Sequence, residues 1–286
     1  MWLVEREHRA AGAEPYVAVA RRRLDAELVR RNLARSREHA SELIAAGRVT
    51  VGGTVATKPA TQVETSAAVV VAKDENDPDY VSRGGHKLAG ALTAFVPLGL
   101  AVEGRRCLDA GASTGGFTDV LLRAGVERVL AVDVGYGQLA WSLQSDDRVV
   151  VMDRTNVREL TLAQIGGEPV DLVVSDLSFI PLGLVLPALA AVTASEGDLV
   201  LMVKPQFEVG KERLGSGGVV RSAQLRQEMI EKVAAQGAEQ GLGVRAVTAS
   251  PLPGPSGNVE YFLWFRRDAP PLDPADAARA VAEGPQ

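Results

Sequence analysis

Residues 107–125, CLDAGASTGGFTDVLLRAG, decide the fold. They predict a buried strand, a glycine-rich turn and a helix that ends at Gly125. Val120, Leu121 and Ala124 give this helix one apolar face. A turn of this kind brings the backbone close to a ligand at the carboxyl edge of a parallel sheet. The stretch therefore predicts an α/β domain with a nucleotide-type cofactor site.

Two cofactor classes fit this turn poorly. A phosphate-binding P-loop needs a lysine after its glycines, but Gly115 and Gly116 are followed by Phe117. A dinucleotide fingerprint needs the pattern G-x-G-x-x-G, whereas this turn has Ser113 at the second glycine position after Gly111. A third class, S-adenosylmethionine, remains.

Aspartates at three successive strand ends favour S-adenosylmethionine. Asp109 is placed to hold the ammonium group, Asp133 to accept the ribose hydroxyls, and Asp153 to accept the adenine amino group. Each aspartate alone also suits a turn or a helix cap, and a ribose-binding carboxylate occurs in nicotinamide sites too. Together they predict a cofactor site formed by Asp109, Gly111, Ser113, Gly115, Gly116, Phe117, Asp133, Asp153 and Asp176.

Strands and helices alternate on both sides of the turn. The predicted strands are 106–110, 128–132, 148–152, 170–175, 198–203, 243–250 and 261–265. The predicted helices are 86–95, 116–123, 184–193 and 223–240. Such alternation predicts a Rossmann-like sheet of seven strands covered by helices on both faces. No helix separates the last two strands, so the last strand is expected to be antiparallel.

A smaller α+β unit is predicted before this domain. Residues 21–35 indicate a helix, Ser36 is placed to cap a second helix, and Gly47 ends that helix. A hairpin about Gly52-Gly53 and a strand over 67–72 follow.

Charge is divided unevenly along the chain. The net charge of the whole chain is −5, but residues 21–73 carry +5 and residues 74–286 carry −9. A basic front on an acidic body suits contact with a polyanion, and it equally suits a solvated helix face.

Composition excludes several classes of protein. The single cysteine, Cys107, excludes an internal disulfide framework and a cysteine-based zinc site, and the three histidines are scattered, so no metal is expected. The apolar stretch 180–194 contains prolines and is shorter than the ~20 residues of a membrane-spanning helix. We therefore expect a cytoplasmic protein without membrane contact. The sequence does not indicate its oligomeric state.

Four charged residues occupy the positions where such a domain carries its chemistry. Asp176 ends the strand of DLVVSDLSFIP, Lys204 ends that of LVLMVKPQF, and Glu260 begins the last strand. Lys87 lies at the start of the first helix, in SRGGHKL. Each alone suits a surface charge, but their shared place at one sheet edge predicts activation of a hydroxyl group without a metal or a covalent nucleophile.

Two modification chemistries fit less well. Amino-group methyltransferases often carry Asp/Asn-Pro-Pro-Tyr/Phe at the fourth strand, and here the four residues 176–179 read Asp-Leu-Ser-Phe. Methylation at a pyrimidine carbon normally needs a cysteine nucleophile, and Cys107 lies inside a predicted buried strand.

The front unit resembles a known RNA-binding module. SREHASELIAAGRVTVGG, within residues 21–73, is similar to the ribosomal protein S4-like domain. This resemblance implies RNA contacts by Arg35, Arg37, Arg48 and Lys58. Arg83, at the start of the larger domain, is a further predicted RNA contact. RRLD at 22–25 is also similar to a motif of pseudouridine synthases, but Asp25 falls inside a predicted helix and reads as a carboxylate on its face.

The chain as a whole resembles a methyltransferase family. SRGGHKL, LDAGASTGGFTD, SDLSFI and KPQFEVG are similar to the TlyA family of rRNA cytidine 2′-O-methyltransferases, historically called hemolysins. Its FtsJ-like domain implies a catalytic set of Lys87, Asp176, Lys204 and Glu260. In that set Lys204 acts as the base, the two carboxylates orient it, and Lys87 steers the hydroxyl group or a phosphate.

Two other functions stay open at this point. One is an RNA-binding or hemolysin-like protein with a vestigial cofactor site, and the other is methylation of an RNA base. The predicted organisation is a disordered extension over 1–20, the S4-like domain over 21–73, a linker over 74–82, the methyltransferase domain over 83–268 and a disordered tail over 269–286.

Overall fold

The computed structural model describes residues 20–74 and 78–285. All but the last residue of the predicted extension over 1–20 lie outside these ranges, as do residues 75–77 of the predicted linker over 74–82. Contacts divide the chain into two units, residues 1–78 and 79–286.

The described residues 20–74 of the first unit form two helices and two small sheets. In chain order its elements are β1 (Arg21–Arg23), α1 (Leu24–Arg30), α2 (Arg37–Ala45), β2 (Val49–Val51), β3 (Thr54–Val55), β4 (Gln62–Glu64) and β5 (Val69–Val71). β1 pairs with β4, and β2 lies between β3 and β5, all antiparallel. Leu24, Leu28, Ile44 and Val49 are buried between helices and strands and form its core.

The first helix is shorter than the sequence predicts. The prediction of a helix over 21–35 was wrong at its start, because residues 21–23 pair with β4, and at its end, because Asn32 takes a positive φ of 56°. Strand pairing with a distant segment overrides local helix propensity here. Ser36 does cap α2, as predicted, since its side chain accepts a hydrogen bond from the His39 backbone N–H at 3.1 Å.

The second unit is a seven-stranded sheet between helices. Its strands are β6 (Arg106–Ala110), β7 (Arg128–Val132), β8 (Val149–Met152), β9 (Val170–Ser175), β10 (Thr193–Val203), β11 (Gly243–Ala249) and β12 (Tyr261–Arg266). Their spatial order is β11-β12-β10-β9-β6-β7-β8. The strands from β6 to β10 are parallel, and β12 runs antiparallel to both neighbours. The predicted Rossmann-like sheet and its antiparallel last strand are confirmed.

Helices cover both faces of this sheet. They are α3 (Gly84–Phe95), α4 (Gly116–Arg123), α5 (Trp141–Gln144), α6 (Leu186–Val192), α7 (Pro205–Glu208), α8 (Ala223–Ala238) and α9 (Pro274–Glu283). Side chains of α3 and α4 belong to one buried apolar cluster, and those of α6, α8 and α9 belong to the other. Chain order reverses between β6 and β9, and open α/β sheets bind ligands at such a switch point.

The C-terminal segment is ordered, contrary to the sequence prediction. The expected disordered tail over 269–286 contains α9, whose Ala277, Ala280 and Val281 are buried against the sheet. Asp273 caps this helix by accepting the Ala275 N–H at 2.9 Å, and Pro274 occupies its first position. The Pro- and Ala-rich composition, which predicted disorder, instead suits a helix: Pro274 occupies the first position, and alanine has the highest helix propensity.

Candidate active site

Three of the four predicted catalytic residues meet at the carboxyl edge of the sheet. Asp176 directly follows β9, and Lys204 directly follows the neighbouring parallel strand β10. Glu260 directly precedes β12, and because this strand is antiparallel to β10, its beginning lies at the same edge. Residues far apart in sequence are thus brought together by topology alone.

Lys204 is buried and contacts one carboxylate and one hydroxyl group. Its Nζ lies 2.6 Å from Asp176 Oδ1 and donates a hydrogen bond to Ser178 Oγ at 2.8 Å. Only 6% of the residue is exposed. A lysine at such a site is stabilised by its partners, because an unpaired buried ammonium group is costly. Two partners on one segment therefore fix the position of the amine.

Lys87 and Glu260 form a second, deeper ion pair. Lys87 Nζ lies 2.5 Å from Glu260 Oε2, and their side chains are 6% and 1% exposed. Gln206 Nε2 donates to the other carboxylate oxygen, Glu260 Oε1, at 3.3 Å. In this arrangement the ammonium group of Lys87 sets the position of Glu260. Gln206 and Ser178 were not predicted from the sequence, because only their hydrogen bonds to Glu260 and Lys204 in the folded chain assign them to the site.

A cavity of about 630 Å³ opens beside these pairs. Lys204, Gln206 and Glu260 line it, together with Phe179 and Phe207. The two aromatic rings lie 5.1 Å apart between centroids. Phe179 is 89% exposed and adopts a positive φ of 63°, which is rare for a bulky residue and typical of functional sites.

Asp109 offers an unsatisfied carboxylate oxygen at the cofactor turn. The residue is fully buried, and Thr118 Oγ1 donates to its Oδ2 at 2.7 Å, while Oδ1 is buried without a hydrogen-bond partner. Burial raises the pKa of Asp109 to about 7, and the nearby charge of Asp176 adds to the shift. A cationic group would satisfy this oxygen, so the site fits the ammonium group of S-adenosylmethionine.

Two more of the predicted cofactor aspartates, Asp133 and Asp153, accept hydrogen bonds from loop backbone N–H groups. Asp133 accepts the backbone N–H groups of Ser113 at 2.8 Å and Gly135 at 2.7 Å. Asp153 Oδ2 accepts the Gly137 N–H at 2.8 Å. Each carboxylate oxygen has a second lone pair, so both side chains retain acceptor capacity for hydroxyl or amino groups.

The glycines of the turn differ in what they do. Gly111 and Gly115 have positive φ values of 89° and 100°, which side chains rarely tolerate. A Cβ on Gly116 would lie 2.8 Å from the backbone nitrogen of Gly85, so only a glycine allows the start of α3 to pack this closely. The Phe117 side chain is in the core, 6.0 Å from the Phe262 ring. Any cofactor contact by Phe117 is therefore limited to its backbone.

The predicted RNA-contacting residues of the first unit differ in their partners. Arg37 Nη2 lies 2.9 Å from Asp25 Oδ2, and Arg48 Nε donates to the Ala72 carbonyl at 3.0 Å. Arg35 and Lys58 are exposed. Asp25 is buried, and hydrogen bonds from Arg23 and Arg37 lower its pKa, as expected of a structural carboxylate. In the second unit, Arg83 donates to the Pro253 carbonyl at 2.7 Å.

The described residues contain neither a metal-site cluster nor a membrane-spanning helix. Within residues 20–74 and 78–285, no cluster of histidine, cysteine, aspartate and glutamate side chains has the arrangement of a metal site. Within the same ranges, no helix is long and apolar enough to cross a bilayer.

Comparison with known proteins agrees with this fold. Residues 80–267 match the family model of the FtsJ-like methyltransferases, and residues 22–69 match the S4 domain. The fold and the site thus define a methyltransferase with an S4 domain in front.

Individual relatives show to which family of FtsJ-like methyltransferases the chain belongs. The chain is 58% identical to the 16S/23S rRNA (cytidine-2′-O)-methyltransferase TlyA of Mycobacterium tuberculosis, covering 93% of this chain and 99% of the relative. It is 35% identical to Hemolysin A of Brachyspira hyodysenteriae, covering 85% and 99%. A solved structure of a hemolysin candidate from Streptococcus thermophilus superposes with a TM-score of 0.73 at 37% identity, covering 93% and 96%. The chain belongs to the TlyA family of FtsJ-like methyltransferases.

Proposed function

We propose that this protein transfers a methyl group from S-adenosylmethionine to the ribose 2′-hydroxyl of cytidines in small- and large-subunit ribosomal RNA. Lys204 carries the proposal: a buried amine, in contact with one carboxylate and one hydroxyl group, lines a cavity large enough for a nucleotide. The substrate follows from the relative of Mycobacterium tuberculosis, whose name specifies cytidine 2′-O-methylation of 16S and 23S rRNA. A ribosomal substrate supports a cytoplasmic location, which is part of this proposal.

The acceptor determines what the protein must supply. A ribose hydroxyl is a very weak acid, so its proton has to be removed as the oxygen forms its new bond. S-adenosylmethionine supplies a methyl group that is already electrophilic. What remains for the chain is to align the hydroxyl oxygen and to take its proton.

Lys204 has the geometry of that base. A neutral amine has two N–H bonds and one lone pair; Ser178 accepts one N–H bond, and the Asp176 carboxylate lies 2.6 Å from the amine. The lone pair is then left for the hydroxyl group in the cavity. After transfer, the proton resides on Lys204 Nζ, where the Asp176 carboxylate stabilises the new charge.

The second ion pair keeps the other wall of the site in place. Glu260 lines the cavity and is held by Lys87 at 2.5 Å and by Gln206 at 3.3 Å. A carboxylate fixed in this way accepts a hydrogen bond from a ribose hydroxyl without rearrangement. Lys87 therefore acts through Glu260.

The cofactor would be held by residues of the turn and the neighbouring strands. Asp109 would pair with the ammonium group, Asp133 would accept the ribose hydroxyls, and Asp153 would accept the adenine amino group. The unpaired Oδ1 of Asp109 supports the first of these assignments.

Two kinds of contact with RNA are proposed: contacts with phosphates and stacking on a base. Arginines and lysines of the first unit suit phosphate contacts, which position a protein on RNA without reading its sequence. The exposed ring of Phe179 lies at the cavity and suits stacking on the base of the target nucleotide.

Transfer of radiolabelled methyl groups to ribosomal subunits tests the proposed function. Purified protein is incubated with labelled S-adenosylmethionine and with 30S or 50S subunits that lack 2′-O-methylcytidine, and the RNA is then digested to nucleosides. We expect label in 2′-O-methylcytidine from both subunits. Label in a nucleobase, or cofactor binding without transfer to either subunit, contradicts the proposal.

Exchanging Asp109 for asparagine is expected to weaken cofactor binding. Asp109→Asn removes the negative charge that pairs with the ammonium group, so we expect affinity for S-adenosylmethionine to fall about tenfold or more, in line with the loss of a charged hydrogen bond. Isothermal titration calorimetry measures this. The exposed Asp147, changed to asparagine, is the matched control and should bind normally.

The same substitution should change how stability depends on pH. The folded protein keeps a proton on Asp109 up to a pKa of about 7, whereas the unfolded chain releases it near pH 4. The folded state binds more protons in this window, so Asp109 lowers stability progressively from about pH 4 to about pH 7. Without cofactor, the stability of Asp109→Asn relative to that of the native chain should therefore rise between about pH 4 and about pH 7. A difference in melting temperature between Asp109→Asn and the native chain that does not change with pH would contradict this.

A further inference from the structure

Glu208 is a buried carboxylate behind the catalytic site. It is the last residue of α7, is 3% exposed and does not line the cavity. Its Oε1 accepts the backbone N–H of Leu182 at 2.7 Å. This contact joins two segments that are 26 residues apart. Residues 176–182 carry Asp176 and Ser178, and residues 204–208 carry Lys204.

The two segments meet at three places. Lys204 Nζ contacts Asp176 and Ser178, the ring of Phe207 packs on that of Phe179, and Glu208 holds Leu182. The first two contacts face the cavity, where a substrate competes for the same groups. The third is buried, because Leu182 is also inaccessible to solvent. It therefore remains when RNA enters.

The segment 176–182 needs such an anchor. Phe179 adopts a positive φ of 63°, a conformation that a bulky residue keeps only when its surroundings impose it. The Asp176 backbone N–H ties one end of the segment to the Ala110 carbonyl at 3.2 Å. The Leu182 N–H ties the other end to Glu208. Loss of the second tie would free the segment that presents both acceptors to Lys204.

We propose that Glu208 is a positioning residue for methyl transfer: it holds residues 176–182 so that Asp176 and Ser178 meet the amine of Lys204. The inference rests on the proposed function, in which Lys204 takes the proton of the ribose hydroxyl.

The acceptor oxygen of Glu208, rather than its charge, holds the segment 176–182. Its second oxygen, Oε2, is buried without a hydrogen-bond partner, and burial raises the pKa of the carboxyl group. The nearby Lys232 donates to the backbone carbonyl of Glu208, at 2.6 Å, and not to the carboxylate. A neutral amide of the same length keeps the acceptor oxygen, whereas a shorter carboxylate keeps the charge and loses the reach.

Three substitutions test the proposal in the labelled-methyl assay, with the full chain and purified subunits. We expect Glu208→Ala and Glu208→Asp to lower kcat by about 10- to 100-fold, the range that a misplacement of about 1 Å costs. The KM for subunits and the affinity for S-adenosylmethionine should stay within about twofold, because neither surface contains Glu208. Glu208→Gln should retain kcat near that of the native chain.

The contrast between glutamine and aspartate decides the outcome. Native kcat in Glu208→Asp with loss in Glu208→Gln would mean that charge matters, and it would overturn the proposal. Native kcat in Glu208→Ala, or a parallel loss of cofactor affinity, would overturn it as well. If the alanine variant does not fold, the other two still decide. The native chain serves as reference: without ribose label from it, the proposed function itself fails.

Discussion

Replacing Lys204 by methionine is expected to lower kcat for ribose methylation by about 10²- to 10⁴-fold, the usual contribution of a positioned general base. Methionine keeps the apolar stem within the strand end and removes only the amine that Asp176 and Ser178 hold. Single-turnover transfer of labelled methyl groups to subunits measures the chemical step directly.

The binding steps provide the control for this variant. Lys204 is not one of the residues assigned to the cofactor, so calorimetry should give native affinity for S-adenosylmethionine, and a filter assay should give native retention of subunits. Near-native turnover in Lys204→Met would show that another group takes the proton. A matching loss of cofactor affinity would instead make Lys204 a binding residue.

Removing one partner of the buried ion pair is expected to destabilise the second unit strongly. Glu260→Ala leaves the ammonium group of Lys87 buried without its carboxylate, and breaking such a pair typically costs about 3–5 kcal/mol. Urea denaturation followed by circular dichroism measures the loss in the free energy of unfolding. Methyl transfer should be lost too, since Glu260 lines the cavity.

Two comparisons separate stability from chemistry. The double variant Lys87→Met with Glu260→Gln removes both charges, so most of the lost stability should return while turnover stays low. The exposed pair Arg213–Glu228 is the matched control, and Glu228→Ala should leave the unfolding curve nearly unchanged. Equal destabilisation by Glu228→Ala and Glu260→Ala would contradict the importance of burial.

The large sheet could be predicted because both the apolar pattern and the residues at the ends of each element indicate its strands and helices. Every predicted strand is a short apolar run bounded by glycine, proline or a charged residue, and the helices between them show an apolar face. β1 and β4 could not be predicted, because three arginines and Gln-Val-Glu become strands only by pairing with each other. α9 was missed because its composition suggested disorder.

Candidate catalytic residues could be chosen from the sequence, but their partners could not. The strand-end positions of Asp176 and Lys204 follow from the pattern of elements, and their closeness follows from parallel neighbouring strands. Nothing in the sequence indicates that Lys87 pairs with Glu260, or that Ser178, Gln206 and Glu208 complete the arrangement. Those contacts depend on side-chain direction in the folded state.

The pairing of Lys87 with Glu260 also joins an early and a late part of the chain. The two residues are 173 positions apart, and one belongs to the first helix of the second unit while the other begins its last strand. A chain still in synthesis carries the lysine long before the carboxylate exists, and closing so long a loop requires the intervening sheet. A nascent chain that ends before Glu260 therefore lacks one side of this ion pair, and Lys87 stays without its carboxylate until the last strand is made.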